Sequence, residues 1–452
     1  MMSASMNAGA STEQARVHGE RLLREVREEN LAELLHTLHH LRSPLPTSPQ
    51  FSPLGIKPLD DILRSFHPKP HTSGKSYTPC QPVLEITSPS SADGKTHLLY
   101  YITALAVLPR TYKNIALRGR SSAIVFLDTD CRFDAARLRE VARGIVLESA
   151  VEQGISLPGA GNNYGIGGKE GDDAEMMNAM IHAALSHVHV FRPQSSESLL
   201  ATIQSIESYL LRGMGTTYGE GEHKHASHSR PLHAILLDSA SAFYWQDRRE
   251  MEVLSIPGVR EERARRARDQ NENQKDNDTD TNTTANTPTA QSQLPHQIIH
   301  ALRSLQHTFS CPLVFTTWAL LRATPSTHHH NNTPHAPHAQ TTTSTPLYAS
   351  LRPSFRPHLP RPWPSFPTCR VIVQREVVRP FAPYLTMEDI KREARERQEV
   401  VRKGRVVGWV DGNGFSWDRE RNAMAERLFG FSLTGEGGIR WIDEDEDVDV
   451  DG

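Results

Sequence analysis

VLEITSPSSADGKT, residues 83–96, consists of a short apolar run, a loop of small residues and a Gly-Lys-Thr sequence. Leu98, Ile102 and Leu105 follow at helical spacing, so the segment predicts a strand, a tight loop and a helix. Backbone N–H groups at such a helix start attract anions. The segment is therefore typical of a P-loop, which binds the phosphates of a nucleotide.

The residue types in this loop suit ATP and Mg²⁺. Lys95 would contact the β and γ phosphates, and the Thr96 hydroxyl would bind the Mg²⁺ that accompanies the nucleotide. The predicted nucleotide-binding residues are Ser91, Asp93, Gly94, Lys95 and Thr96. An ordinary turn between a strand and a helix is the alternative, because Gly-Lys-Thr alone is a weak signal.

The loop also departs from the usual P-loop sequence at two positions. Pro89 stands where the first glycine is expected, and proline offers no N–H and fixes φ near −65°. Asp93 adds a negative charge beside the expected phosphates. Both changes are expected to weaken nucleotide binding without necessarily abolishing it.

A second candidate site residue, Asp238, ends the apolar run 234–237. A carboxylate at the end of a buried strand is the Walker-B arrangement, in which it reaches the metal through water. Asp238 is therefore the predicted metal residue together with Thr96. The alternative is an aspartate that caps a helix or a turn.

Asp130 is the third candidate, because it follows the apolar run 124–127 at a strand end. Carboxyl ends of parallel strands meet at one edge of a sheet, which would bring Asp130 to the same site. There it could orient an attacking water as a general base. Equally, Asp128 and Asp130 could cap the helix that starts near Asp134.

The remaining pattern predicts an α/β fold with a mostly parallel central sheet flanked by helices. Near-continuous apolar runs indicate strands covered on both faces, and amphipathic helices separate them. The predicted strands are 83–86, 124–127, 188–191, 234–237 and 313–315, followed by 370–374 and 405–410. A charged helix is expected at 387–401 and a terminal hairpin at 431–441.

Composition divides the chain into a helical start, one core and a tail. Residues 1–50 hold a predicted amphipathic helix, at 12–42, and a linker; the helix could pack on the core or serve as a docking arm. Residues 51–442 form the core, and 443–452 an acidic tail. Polar segments near 154–175, 257–293 and 322–346 are predicted to be disordered insertions, because they cannot bury enough apolar surface.

Global composition excludes several classes of protein. The net charge of −3 shows no basic excess over the 452 residues, so nucleic-acid contacts would have to come from local patches. Four scattered cysteines without paired spacing indicate a reducing compartment. No apolar run is long enough for a membrane span and the start lacks a signal-peptide pattern, so a soluble intracellular protein without a membrane partner is expected.

Two longer segments carry a family resemblance. VFLDTD at 125–130 and LLDSASAFYWQDR at 236–248 resemble the second-strand and Walker-B segments of the RecA-like recombinase family, and of one paralogue in particular. The likeness covers roughly residues 50–250, 295–321 and 347–442. It implies a RecA-like P-loop ATPase core in the nucleus, acting in double-strand break repair by homologous recombination.

The resemblance also implies partners and a doubtful enzymatic activity. Family members of this kind work in a hetero-oligomeric complex of recombinase paralogues that assists recombinase filaments, so single-stranded or branched DNA is expected to be met through the complex. Active members deliver a glutamate from the second strand, whereas Asp130 is one methylene shorter, and Trp318 follows Thr317 where a polar sensor is usual. Little or no ATP hydrolysis is therefore expected.

Two other functions stay open at this stage. An active DNA-dependent ATPase of the RecA family would use the same three elements. A P-loop phosphotransferase for a small molecule would need a lid and an acceptor site, and neither is evident in the polar insertions. The aromatic cluster 243–245 fits a subunit interface better than base stacking, since large aromatics dominate such interfaces.

Overall fold

The computed structural model describes most of the predicted core. The described residues are 16–18, 52–66, 81–155, 170–211, 227, 230–256, 258–259, 262, 265, 288–321, 355–356, 359–376, 381, 384–411, 428–434 and 437–442. The predicted N-terminal helix, apart from 16–18, lies outside them, as do most of the three predicted insertions and the acidic tail.

Thirteen strands occur in the described chain, and nine of them form one sheet. They are β1 Val83–Ser88, β2 Thr111–Tyr112, β3 Ile115–Ala116, β4 Ala123–Asp128, β5 Val188–Phe191, β6 Leu232–Asp238, β7 Leu313–Trp318, β8 Leu320–Leu321, β9 Phe355–Arg356, β10 Cys369–Arg375, β11 Arg405–Val410, β12 Leu428–Leu433 and β13 Ile439–Ile442. The spatial order in the large sheet is β13-β12-β11-β10-β1-β7-β6-β4-β5.

The sheet has a parallel part and an antiparallel part. The strands from β10 through β1, β7, β6 and β4 to β5 all run parallel to their neighbours. β11, β12 and β13 add an antiparallel extension beyond β10. The parallel part therefore aligns six strand ends along one carboxyl edge, and those of β1, β7, β6 and β4 lie at its centre.

Helices cover both faces of the sheet, as the continuous apolar strands require. They are α1 Lys57–Phe66, α2 Lys95–Val107, α3 Ala135–Glu152, α4 Glu170–Leu185, α5 Ser196–Leu211, α6 Tyr244–Leu254, α7 Pro288–Phe309 and α8 Met387–Lys403. α4 begins inside the predicted insertion 154–175, and α7 begins inside 257–293. No helix in these ranges is long and apolar enough to cross a membrane.

Each central strand divides its side chains between two hydrophobic clusters. On β4, Ile124 and Phe126 join the cluster that α2, α3 and α4 cover. Val125 and Leu127 join the opposite cluster, beneath α5 and α7. Full burial of one such side chain stabilises the fold by roughly 1.5–3 kcal/mol relative to exposure.

The predicted fold class is confirmed. The seven predicted strands coincide with β1, β4, β5, β6, β7, β10 and β11, and β12 pairs with β13 as the terminal hairpin. The mostly parallel sheet with helices on both faces is consistent with a RecA-like core. What matters for the site is that strands far apart in sequence end side by side, with Ser88 opposite Trp318 and Asp128 opposite Asp238.

Candidate functional site

The predicted P-loop connects β1 to α2 at this carboxyl edge. Gly94 is the N-cap of α2 and has φ of 89°, a left-handed conformation that favours glycine. A Cβ at this position would lie 3.4 Å from the Phe431 ring and 3.5 Å from Val406. Glycine is thus suited to this position by both its backbone conformation and its close neighbours.

Lys95 lies against the loop instead of extending into solvent. Its ammonium contacts the Ser88 hydroxyl and lies 3.4 Å from the Ser90 carbonyl oxygen. Burial lowers the pKa of Lys95, whereas the nearby carboxylates of Asp93, Asp238 and Asp130 oppose that change. One lysine thus faces three acidic side chains.

Asp238 connects the loop to the strands beside it. The Thr96 hydroxyl donates to Asp238 Oδ2 at 2.8 Å, and the Thr316 hydroxyl donates to Oδ1 at 2.5 Å. Burial raises the pKa of Asp238, which is 6% exposed, while both hydroxyl hydrogen bonds lower it. The helix-cap alternative does not describe Asp238, because its carboxylate accepts from side-chain hydroxyls of α2 and β7.

The hydroxyl of Thr96 and the carboxylate of Asp238 are oxygen donors of the kind that Mg²⁺ prefers. They already touch each other, and Lys95 lies close enough to influence both acids at the edge. These residues fit a Mg²⁺ that also binds nucleotide phosphates. Within the described ranges, no group of three or more His, Cys, Asp and Glu side chains forms a separate metal site.

Asp130 lies in the loop after β4, beside Asp238. The Asp130 N–H faces the Asp238 carbonyl oxygen at 3.5 Å, and the preceding Thr129 N–H donates to the same oxygen at 2.9 Å. Burial raises the pKa of Asp130, the Asp238 charge raises it further, and Lys95 lowers it. The structure therefore brings together Lys95, Asp130 and Asp238.

The neighbouring Asp128 serves the architecture of this loop. Its buried carboxylate accepts from the N–H groups of Arg132 at 3.0 Å and Phe133 at 2.9 Å. It also pairs with Arg192 at 3.1 Å. The cap of α3 is Asp134, which accepts from Ala136 N–H at 2.8 Å, so neither Asp128 nor Asp130 is needed for that cap.

Among the remaining loop residues, Ser91 is exposed and Asp93 is buried. Asp93 Oδ2 accepts the Ser90 N–H at 3.0 Å, and Oδ1 accepts the Arg375 N–H at 3.2 Å. Its carboxylate therefore lies between the loop and the end of β10. The sequence predicted Asp93 as a nucleotide-binding residue whose charge weakens binding, and it gave no sign of the contact with β10.

The end of β7 shows which residues the sequence did not reveal. The Thr317 hydroxyl donates to Glu85 Oε1 at 2.7 Å, and Glu85 pairs with Arg370 at 2.7 Å. Arg370 also contacts Asp411 at 3.3 Å. Thr317 is thus engaged in a buried ion cluster, whereas its neighbour Thr316 contacts Asp238. The only sequence signal was a charged residue, Glu85, inside an apolar strand.

The chain is similar in sequence to two proteins named for DNA repair. It is 26% identical over 170 residues to a DNA repair protein XRCC2 homolog of Arabidopsis thaliana, a match that covers 37% of this chain and 42% of that protein. It is 26% identical over 167 residues to DNA repair protein XRCC2 of Mus musculus, with the same two coverages. The chain thus spans less than half the length of these relatives.

No family model matches the chain. The resemblance to one recombinase paralogue, drawn from the segments at 125–130 and 236–248, is confirmed at this modest level, because both relatives carry the name of that paralogue, X-ray repair cross-complementing protein two.

Proposed function

We propose that this chain is a nuclear recombinase-paralogue subunit that acts in DNA double-strand break repair by homologous recombination. In this role it assists recombinase assembly on single-stranded DNA. Similarity to two XRCC2 proteins supports the repair role. The observation that carries the molecular part is the 2.8 Å hydrogen bond between Thr96 and Asp238, because it joins the P-loop to the Walker-B strand across 142 residues of sequence.

The P-loop is proposed to bind ATP with Mg²⁺ weakly. Ser91, Asp93 and Gly94 shape the loop, while Lys95 and Thr96 face the phosphates and the metal. Bound Mg²⁺ neutralises phosphate charge, and the Asp238 carboxylate helps to hold it. The acidic edge offers little net positive charge of its own, since Lys95 is accompanied by three carboxylates.

Hydrolysis is proposed to be slow or absent. Asp130 is the candidate base, and its side chain is one methylene shorter than the glutamate of the active family members that this segment resembles. The Thr317 hydroxyl donates to Glu85, and the Trp318 side chain is 54% exposed. Of the last three residues of β7, only Thr316 therefore directs a hydroxyl to the Asp238 carboxylate. Positioning errors of about 1 Å already reduce rates substantially.

A surface on α6 supports the proposal of a hetero-oligomeric complex with other recombinase paralogues. No residue of α6 is buried, and Trp245 is 63% exposed. Met251 and Val253 are 47% and 40% exposed, and Ile256, just beyond the helix, is 50% exposed. Large aromatic side chains often anchor protein interfaces, so this surface is proposed to bind a partner protein. Because the chain has no basic excess of its own, DNA is proposed to be bound through the complex.

A pull-down of the endogenously tagged full chain from nuclear extract tests the assembly role. We expect recombinase relatives to be recovered and to be lost with Trp245→Ala. Tyr384→Ala is the matched control, because Tyr384 is another exposed aromatic residue, 96% exposed, on a different segment. A wild-type pull-down that contains no recombinase relative would contradict the proposal.

The active-ATPase alternative is tested on the recovered complex. Phosphate release is measured with and without single-stranded DNA, for the wild-type chain and for Lys95→Ala. We expect the wild-type and Lys95→Ala complexes to release phosphate at the same rate, because the partner subunits carry out the turnover. DNA-stimulated release that Lys95→Ala abolishes would instead identify this chain as an active ATPase.

A further inference from the structure

Asp93 occupies an unusual place for a carboxylate in a P-loop. It is 4% exposed, and each of its two oxygens accepts a main-chain N–H. One N–H belongs to Ser90 within the loop, at 3.0 Å, and the other to Arg375, at 3.2 Å. Such charge-assisted hydrogen bonds are about twice as strong as neutral ones, so the carboxylate is held by both partners.

Arg375 ties this contact to the antiparallel extension. It is the last residue of β10 and lies opposite Val406 of β11. The next loop residue, Gly94, faces Val406 and the Phe431 ring of β12 closely. Two consecutive loop residues therefore contact β10, β11 and β12.

The loop has a specific need for such support. Pro89 stands at the position of the first glycine and cannot donate an N–H. Ala92 has φ of 66°, a left-handed conformation that is uncommon outside glycine. A loop with these two features gains from a fixed contact on its other side, and Asp93 provides one.

We propose that Asp93 is a positioning residue that holds the P-loop against the end of β10, beside the antiparallel extension, so that its removal weakens nucleotide binding. This inference rests on the proposed nucleotide-binding function and deepens it. The expected change in nucleotide affinity is opposite to that of simple charge repulsion, in which removal of the Asp93 charge strengthens binding. The negative charge is already engaged by two N–H groups and lies near the Lys95 ammonium.

The first test uses calorimetry to measure how tightly MgADP and MgATP bind to the full chain. Three forms are compared: wild type, Asp93→Asn and Asp93→Ala. We expect both variants to bind about tenfold more weakly, by the same factor for the two nucleotides, because Asp93 contacts neither. Tighter binding, or a gain larger for MgATP than for MgADP, would overturn the inference in favour of repulsion. Asp389→Asn, a partly exposed aspartate at the start of α8, is the control and should bind like wild type.

The second test needs no nucleotide. Hydrogen–deuterium exchange of the unliganded chain should be faster in both Asp93 variants for peptides covering 88–94 and 371–376, and unchanged for α5. Arg375→Pro should speed exchange in 88–94 as well, since it removes the N–H that Asp93 accepts while the Arg375 side chain is exposed. Unchanged exchange in these variants would overturn the inference.

The two tests separate the inference from the function on which it rests. If wild type binds no MgADP at millimolar concentration but the variants exchange faster, nucleotide binding is refuted and the contact between loop and sheet is supported. If wild type binds and the variants bind equally well, the positioning role of Asp93 is refuted and nucleotide binding is supported.

Discussion

Two clusters of charged residues lie along the same sheet, one fully buried and one mostly buried, and they differ in how their charges are satisfied. In the first, Glu85, Arg370 and Asp411, the Arg370 guanidinium contacts both carboxylates directly. In the second, Lys95, Asp130 and Asp238, the lysine contacts the Ser88 hydroxyl and the Ser90 carbonyl. Hydroxyl groups, not a cation, hold the Asp238 carboxylate.

The difference indicates different roles. Although burial opposes its charge, Glu85 and Asp411 raise the pKa of Arg370, so that cluster keeps its ion pairs without any ligand. Burial raises the pKa of Glu85 in the first cluster, and it also raises the pKa of Asp130 and Asp238 in the second. The clusters therefore differ in their direct contacts, and carboxylates that the fold leaves without a direct cationic contact are suited to a metal ion.

The largest effect is expected from Arg370→Met. It leaves Glu85 and Asp411 buried without their cation, which destabilises a fold by about 3–5 kcal/mol. The free energy of unfolding in urea measures this loss. Arg118→Met is the control, because its pair with Glu152 is exposed on both sides and contributes at most about 1 kcal/mol. A similar small loss for Arg370→Met would show that the first cluster is not structural.

Asp238→Asn should separate stability from binding. We expect Mg²⁺-dependent nucleotide affinity to fall about tenfold or more, because a carboxylate oxygen donor is lost. The free energy of unfolding should change by no more than about 1 kcal/mol, since a buried charge is removed at the same time. Calorimetric binding and urea unfolding of the same preparation measure the two quantities. A large loss of stability with unchanged binding would make Asp238 a structural residue.

Adjacent threonines on β7 allow the sharpest comparison of the two clusters. Thr317→Val removes the hydrogen bond to Glu85 and should cost about 1–2 kcal/mol of stability, with nucleotide affinity unchanged. Thr316→Val removes the hydrogen bond to Asp238 and should change nucleotide affinity more than stability. Both variants keep the shape of the strand. Identical effects of the two changes on both measurements would contradict the division into two clusters.

Asp247 gives the smallest effect and a pH dependence. Burial raises its pKa to about 6 from 3.8, although a 2.6 Å hydrogen bond from Ser196 opposes this change. The folded state then holds a proton that the unfolded state releases between these two values, so stability falls as pH rises from 3.8 to about 6. Because Asp247 is partly exposed, the loss is expected to be only about 1 kcal/mol.

Urea unfolding at several pH values checks this slope. Asp247→Asn should remove about 1 kcal/mol of the pH dependence in that window, and Asp61→Asn, a partly exposed aspartate on α1, should leave it intact. The same slope in Asp247→Asn as in wild type would assign the pH dependence to another group.

The sequence predicted the features that depend on local pattern. β1, the loop and α2 are contiguous, so the apolar run, the small residues and the helical spacing at 83–105 identify them directly. Asp130 and Asp238 were placed together because parallel strands end at a common edge. The fold class followed from the same alternation of strands and helices.

The sequence could not predict contacts that depend on strand order and register. Glu85 and Arg370 are 285 residues apart, and Glu85 and Thr317 are 232 apart. A shift of one residue in register would turn Thr317 to the other face, and no local pattern fixes that choice. The second contact of Asp93 likewise requires β10 to lie beside β1, which the order of the chain does not reveal.

The most direct test of the two-cluster account is a calorimetric titration of the full chain with MgATP, in wild type, Lys95→Met and Glu85→Gln. The account predicts saturable, Mg²⁺-dependent binding to wild type and to folded Glu85→Gln, and none to Lys95→Met. Equal binding to wild type and Lys95→Met, or no binding to wild type, would contradict it.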